Sequence, residues 1–198
     1  MSKKRYASGF VIAVIAGVFI FSIVRRVEVD FMNPVAWAMS LLIVVGGVGV
    51  LASALSAVGP LRLPTDCEWP AGYVRGVVTM PGGNYAVPLW PSGRIQIYDS
   101  KWHFICGWNV DALGGYFWVR CSQAGNIEVY PMRGDHRYSF TPEGKLLSSE
   151  RLDQNWPHLP KGQSVFVPTP LLLWIFSSPI ISGAVAVVGF IGLHCLTS

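Results

Sequence analysis

A soluble domain carries about 25% charged residues; this chain of 198 residues carries 13%, and 52% of it is hydrophobic. The deficit sits in three apolar runs, which leaves roughly 110 residues of ordinary polarity between the second and third, enough for one small domain. The net charge of +4 is scattered singly apart from Lys3-Lys4-Arg5 and Arg25-Arg26, unlike the clustered basic stretch of a nucleic-acid binder.

The first run, Tyr6 to Val24, has no charged residue. As a helix it covers about 28 Å, close to the hydrocarbon thickness of a bilayer. It is longer than a signal-peptide core and ends in Arg25-Arg26 rather than a small-residue cleavage site, so a retained anchor is expected. The second run, Val35 to Val58, is introduced by Asn33-Pro34 and stopped by Gly59-Pro60, as proline at a helix start and glycine beyond its end would do. The third, Leu171 to Leu196, contains Pro179. A kink is expected there, with Ser177 and Ser178 beside it to bond the freed carbonyl.

Small residues recur every fourth position in each run: Gly9, Ala13 and Gly17; Gly49, Ser53 and Ala57; Ser178, Ser182 and Ala186. That spacing stacks them on one helix face, where backbones can approach closely. They are the expected helix-packing residues, within the chain or against other membrane subunits. No Asp, Glu, Lys or Arg lies inside a run, which argues against ion or proton transport by this chain alone. His194, near the end of the third run, reads as an interfacial polar residue, since no second span offers a histidine to pair with it on a haem.

The positive charges near the span ends favour a cytoplasmic N-terminus and middle domain. The expected organisation is a two-helix transmembrane hairpin over 1–59, a β-rich domain over 60–168, and a third transmembrane helix over 169–198. An integral membrane protein of a bacterial inner or intracytoplasmic membrane is the corresponding location.

Between Gly72 and Leu147 the chain alternates short aromatic and β-branched stretches with turn signals such as Pro81-Gly82-Gly83, Ala124-Gly125-Asn126 and Pro142-Glu143-Gly144. Seven antiparallel strands are expected. Ser148 to Gln163 reads as a polar linker back to the membrane. A shift of 42 residues lays Gly83-Asn84 on Gly125-Asn126, Val77 on Val119, Val87 on Val129, Tyr98 on Phe140 and Phe104-Ile105 on Leu146-Leu147. That period suits one four-stranded propeller blade. The phrases GRIQIYDSKWHFICGW and GNIEVYPMRGDHRYSFTPEGKLL resemble NHL-type propeller repeats. The resemblance implies two blade-like units, too few to close a ring; a small barrel or sandwich fits the same strand spacing.

Trp90, Trp102, Trp108 and Trp118 fall in this region. Core packing and a protein-interaction face are both open readings, because tryptophan serves each. Cys106 and Cys121 flank a turn expected at Asp111–Gly114, where they would face each other across a hairpin, bridged or as buried free thiols. Asp135-His136 is read as turn chemistry. No nucleotide, metal or nucleophile motif stands out, so no cofactor, no metal and no enzymatic activity is expected. The function expected is that of an accessory or structural subunit of a larger membrane complex, such as a respiratory, photosynthetic or secretion assembly. Its partners would be other membrane proteins and the lipid bilayer, with no nucleic acid. The alternative is a membrane-anchored ligand- or signal-sensing module.

Overall fold

The computed structural model describes residues 33–57, 62–90, 92–152 and 162–197. The first apolar run, with Gly9, Ala13 and Gly17, lies outside them. The chain divides into a helical unit, up to Leu55 and again from Pro170, and a β unit, Ser56–Thr169.

Among the described residues two helices, rather than the three expected, are long and apolar enough to cross a membrane: Pro34–Ser56 and Pro179–Leu196, with mean hydropathies of 2.3 and 2.0. Helix α1 (Pro34–Ala57) begins with proline in its first turn. Asn33 caps it, its Oδ1 accepting the Val35 amide at 2.9 Å. The third run is broken rather than kinked. Leu171–Ser177 forms a 3-10 helix, Ser178 is extended (φ −150°, ψ 136°), and helix α2 (Pro179–Thr197) starts afresh. Proline at the first helical position costs no hydrogen bond, so a break there is cheaper than a kink. The two serines act as local caps: the Ser177 hydroxyl donates to the Trp174 carbonyl, and Ser178 Oγ accepts the Ile180 amide.

The two helices meet through small residues. A Cβ on Gly46 would collide with the backbone of Ser182 and Ala186, and one on Gly49 with the Ser182 side chain. At the other end, a Cβ on Gly189 would lie 2.6 Å from the Met39 carbonyl oxygen. The pairing is therefore antiparallel. Ser53 and Ser182 are buried, and Ser182 returns its hydroxyl proton to the Ile175 carbonyl at 2.6 Å. Val48, Val187, Phe190 and Ile191 stay exposed within this unit.

Among the described residues the β unit has nine strands in two antiparallel sheets. The first contains β1 (Tyr73–Thr79), β2 (Tyr85–Leu89), β3 (Arg94–Tyr98) and β4 (Phe104–Asn109), with β9 (Gln163–Phe166) paired to β1. The second contains β5 (Phe117–Cys121), β6 (Ile127–Pro131), β7 (His136–Phe140) and β8 (Leu146–Arg151). Among the described residues no strand pairs across the two sheets and neither sheet closes on itself, so they form two separate sheets rather than a closed barrel. The stretch read as a linker supplies part of β8 and the start of β9.

The duplication is carried by the backbone. Shifting by 42 residues moves β2, β3 and β4 onto β6, β7 and β8 with identical limits. The registers coincide: Tyr85↔Tyr98 becomes Ile127↔Phe140, and Gln96↔Gly107 becomes Tyr138↔Ser149. Even the irregularity repeats, between Ile97 and Tyr98 and again between Ser139 and Phe140. The turns match bond for bond. Met80 N–H donates to Asn84 as Ser122 does to Asn126, and Asp99 N–H to His103 as Thr141 does to Lys145. Trp102 sits where the second copy has Gly144, and both have left-handed φ, 65° and 86°. That conformation costs a non-glycine residue about 1–2 kcal/mol. Trp102 is held in it by stacking on Tyr85, ring centroids 4.4 Å apart and 6° from parallel.

The sheets stack so that opposite faces of the two copies meet. Ala86, Ile95, Ile97 and Trp108 of the first copy share one core with Val119, Ile127, Val129 and Phe140 of the second. The remaining face of the first sheet is closed by Trp69, Ala71 and Val167 over Val74, Val77, Val87 and Tyr98. The remaining face of the second sheet is polar. At the positions equivalent to Ala86, Ile95 and Trp108 stand Glu128, Arg137 and Glu150. Arg137 pairs with Glu150, and Tyr130 donates to Glu128 at 2.8 Å. A polar outer face is how stacked repeats end.

The connection from β4 to β5 crosses between sheets, so the hairpin expected at Asp111–Gly114 does not form. Cys106 lies opposite Ile97 and Cys121 opposite Ile127. Both are free thiols packed against the shared core, and burial pushes both thiols above their ordinary pKa.

Two substitutions test these contacts. Gly144→Ala places a Cβ 2.5 Å from Trp108 Cδ2 in a left-handed backbone; a loss of about 2 kcal/mol or more is expected in urea unfolding followed by tryptophan fluorescence. Gly49→Ile should cost about 1–3 kcal/mol of helix-pair stability in detergent by overpacking. Gly183→Ala, whose Cβ would lie 3.8 Å from Val50, should leave that stability unchanged.

Candidate functional site

Two polar constructions distinguish the β unit from a plain two-sheet sandwich: a clamp on one face of the first sheet, and an aromatic cleft beside β5.

The clamp comes from β3. Its alternation sends Ile95 and Ile97 into the shared core and Arg94, Gln96 and Tyr98 to the opposite face. All five residues are buried. Arg94 Nη1 donates to the Leu63 carbonyl (3.2 Å) and Asn109 Oδ1 (3.1 Å), and Nη2 donates to the carbonyls of Pro64 and Cys67 (both 2.7 Å). Its Nε has no partner and lies over Gly107. Burial lowers the guanidinium's pKa, yet the ordinary value is high enough that it stays charged. Gln96 holds the backbone of Trp69 at both ends, accepting its amide at 2.5 Å and donating to its carbonyl at 2.9 Å. Tyr98 accepts from Gln96 and donates to Glu68, each at 2.8 Å. Burial, then the Glu68 hydrogen bond, pushes its phenol well above the ordinary value, so it remains a donor. The Gly107 amide adds a strand-like bond to the Thr65 carbonyl at 2.8 Å.

These contacts lay residues 63–69 along the sheet and supply donors to the carbonyls of Leu63, Pro64 and Cys67. The exit of the unit is tied to its entry. Val167 N–H donates to the Gly72 carbonyl, and Thr169 Oγ1 accepts the Gly72 amide.

The cleft has a volume of about 230 Å³. One wall is the first sheet, with Arg75, Gly76, Pro88, Trp90, Gly162 and Ser164; the other is the start of the second, with Tyr116, Phe117, Trp118 and Val119. Trp90 and Tyr116 stack at 4.2 Å and 13° across it, and each remains more than two-fifths exposed. Arg75, the one charged side chain among the described lining residues, has its guanidinium carbon 6.0 Å from the Tyr73 ring centroid. Contact with the Ser164 hydroxyl, and more weakly with Arg75, draws the Tyr73 phenol below its ordinary value. The lining offers stacking surface and one cation rather than an acid–base pair.

The four tryptophans considered as an interaction face separate. Trp90 and Trp118 line the cleft. Trp102 stacks on Tyr85. Trp108 is 5% exposed in the shared core. Of the packing residues, Gly49, Ser182 and Ala186 lie in the helix seam with Gly46, which the four-residue stripe did not contain. Ser53 is buried, and Ser178 caps α2 instead. For Ala57 the backbone alone is described, as the last residue of α1. Asp135 pairs with His136 and with Arg151 on the exposed rim of the polar face, where the His136 hydrogen bond lowers the carboxyl's pKa. Among the described residues no His, Cys, Asp and Glu group forms a metal-binding cluster. His194 is exposed in the last turn of α2.

No family model matches the chain, and no curated protein matches it in sequence. The likeness to NHL-type repeats rests on the quoted residues alone.

Arg94→Met should strip the donors from three carbonyls and cost about 3 kcal/mol or more, as removing one partner of a buried charged network does. Proteolysis should then cut within residues 62–69. Arg120→Met, on an exposed strand position, should change stability by no more than about 0.5 kcal/mol.

Proposed function

We propose that this chain is a non-enzymatic accessory subunit of a membrane protein assembly, anchored by its apolar helices and engaging its partners through the β unit. The observation that carries the reading is the aromatic cleft. Partly exposed, mutually stacked Trp90 and Tyr116 beside Trp118 and Arg75 are the residue types that dominate protein-recognition hot spots. The helices support it from another side. They spend Gly46, Gly49, Ser182 and Ala186 on each other and leave Val48, Val187, Phe190 and Ile191 facing outward, as lipid or a neighbouring subunit requires. On the positive-inside count the β unit lies on the cytoplasmic side.

Extraction in a mild detergent, followed by native electrophoresis and identification of co-migrating chains, tests this role. A stable band above the mass of one chain, containing other membrane proteins, is expected. A chain that migrates only as a monomer contradicts it.

A further inference from the structure

The two ends of the β unit, taken along its strands, are unlike. In the first sheet Tyr73↔Phe166, Leu89↔Arg94 and Arg94↔Asn109 lie at one end, and Thr79↔Tyr85 and Tyr98↔Phe104 at the other. In the second sheet Phe117↔Pro131 falls at the first of these ends, because Tyr116 stacks on Trp90 and Val110 N–H donates to the Gly93 carbonyl. The chain enters and leaves the unit at this same end. The Ser56 hydroxyl donates to the Ser92 carbonyl at 2.8 Å and accepts from Asn109 at 3.4 Å, while Gly72 holds Val167 and Thr169. Ser56 is the last residue of an apolar stretch long enough to cross a bilayer, and Leu171, just past Thr169, opens the next. Both junctions with the apolar runs are therefore here.

Exposed apolar side chains gather at the junction end. Among the described residues of the β unit nine large hydrophobic side chains are exposed, and six of them, Tyr73, Trp90, Leu113, Tyr116, Met132 and Phe166, stand there. Leu113 is the extreme case. It is 59% exposed in a left-handed backbone (φ 48°) and is followed by left-handed Gly114. A solvent-facing turn ordinarily places Gly or Asn in that conformation. Met132 is equally exposed, and its amide donates to the Tyr116 carbonyl, which brings the second loop tip beside the first. The opposite end is built otherwise. Its turns carry Asp99, Lys101, His103, Glu143 and Lys145, and its exposed apolar residues, Ile105, Leu146 and Leu147, lie within strands. Asp111, Arg133 and Asp135 share the loops of the junction end, a mixture that suits lipid headgroups and not hydrocarbon.

We infer that the junction end of the β unit lies against the bilayer surface, with Leu113, Met132 and the Trp90–Tyr116 pair set into the interfacial layer of the lipid. Tryptophan and tyrosine favour that level, where the ring meets apolar surface and its N–H or O–H stays wet. Leucine and methionine at the loop tips add apolar area to bury, and Arg133 beside Met132 places a cation among the phosphates. Chain continuity selects lipid over a soluble partner. The last residue of an apolar run is itself bonded to Ser92, two residues from Trp90, so the bilayer surface is at this end before any partner arrives. The Trp90–Tyr116 wall of the cleft is then met at the membrane surface, which restricts its partners to chains present there.

The inference rests on the membrane anchoring proposed above, and its test separates the two. The photoreactive residue p-benzoylphenylalanine is encoded singly in the full chain in place of Leu113, Met132, Lys101 or Glu143, and in place of Val187 of α2 as a control for anchoring. All five positions are exposed, so the added ring needs no repacking of the core. Each variant is reconstituted in nanodiscs of phosphatidylcholine and phosphatidylglycerol, irradiated, and weighed by mass spectrometry. Lipid adducts are expected at positions 113, 132 and 187, with their loss at 101 and 143. Adducts at 187 without adducts at 113 and 132 overturn the inference and leave the anchoring intact. Equal yields at the four β-unit positions overturn it as well. So does irradiation in native membranes that links 113 and 132 only to another protein. Absence of adducts at 187 removes the anchoring, and the inference falls with it.

Discussion

β3 is the member on which the β unit depends. It is buried on both faces along its whole length. Ile95 and Ile97 seat the second copy of the meander on one side, while Arg94, Gln96 and Tyr98 bind the chain that enters the unit on the other. A strand sandwiched in this way normally carries apolar residues on both faces. Here one face can be polar only because residues 63–69 bring a carbonyl, amide or carboxylate to nearly every donor and acceptor. The residual defect on this face is small: among the described residues Arg94 Nε is left unpaired there. The arrangement fixes where the chain enters and leaves, since Gly72 bonds to both Val167 and Thr169.

The duplicated backbone shows how one architecture carries different surfaces. Register, bulge and turns are shared, and the turns before β2 and β6 both place a glycine, Gly83 and Gly125, in a left-handed backbone that favours that residue. Side chains diverge according to what each face meets. The face of the first copy that buries Ala86, Ile95 and Trp108 becomes Glu128, Arg137 and Glu150 in the second. Further copies would find no apolar seat there. The stack ends at two because one end is clamped by the chain itself and the other is charged, so it needs no closed ring to be stable.

The sequence disclosed most where the chemistry is local. Glycine turns and apolar alternation placed seven strands and the repeat. It failed where a residue's role depends on a distant partner. Arg94 and Gln96 alternate with isoleucines and look solvent-facing; only residues 63–69, far away in sequence, make their burial tolerable. β8 was hidden because Ser148, Ser149, Glu150 and Arg151 form an outer edge strand without an apolar face. The Asp111–Gly114 turn looked like a hairpin because it joins two strands, whereas it joins two copies of the repeat. Composition could not separate Trp108, inside β4 and in the core, from Trp90, just past the end of β2 and in the cleft, since both fall in stretches that read as alternating strands.

The central claim is that polar contacts from β3 make residues 63–69 an integral layer of the β unit. Amide hydrogen exchange resolved to single residues tests it most directly. The Trp69 amide, bonded to Gln96, and the Gly107 amide, bonded to Thr65, should exchange as slowly as the amides inside β2 and β3, because opening either requires the clamp to come apart. Exchange of these two amides at the rate of an unstructured loop, with β2 and β3 still protected, would contradict the account.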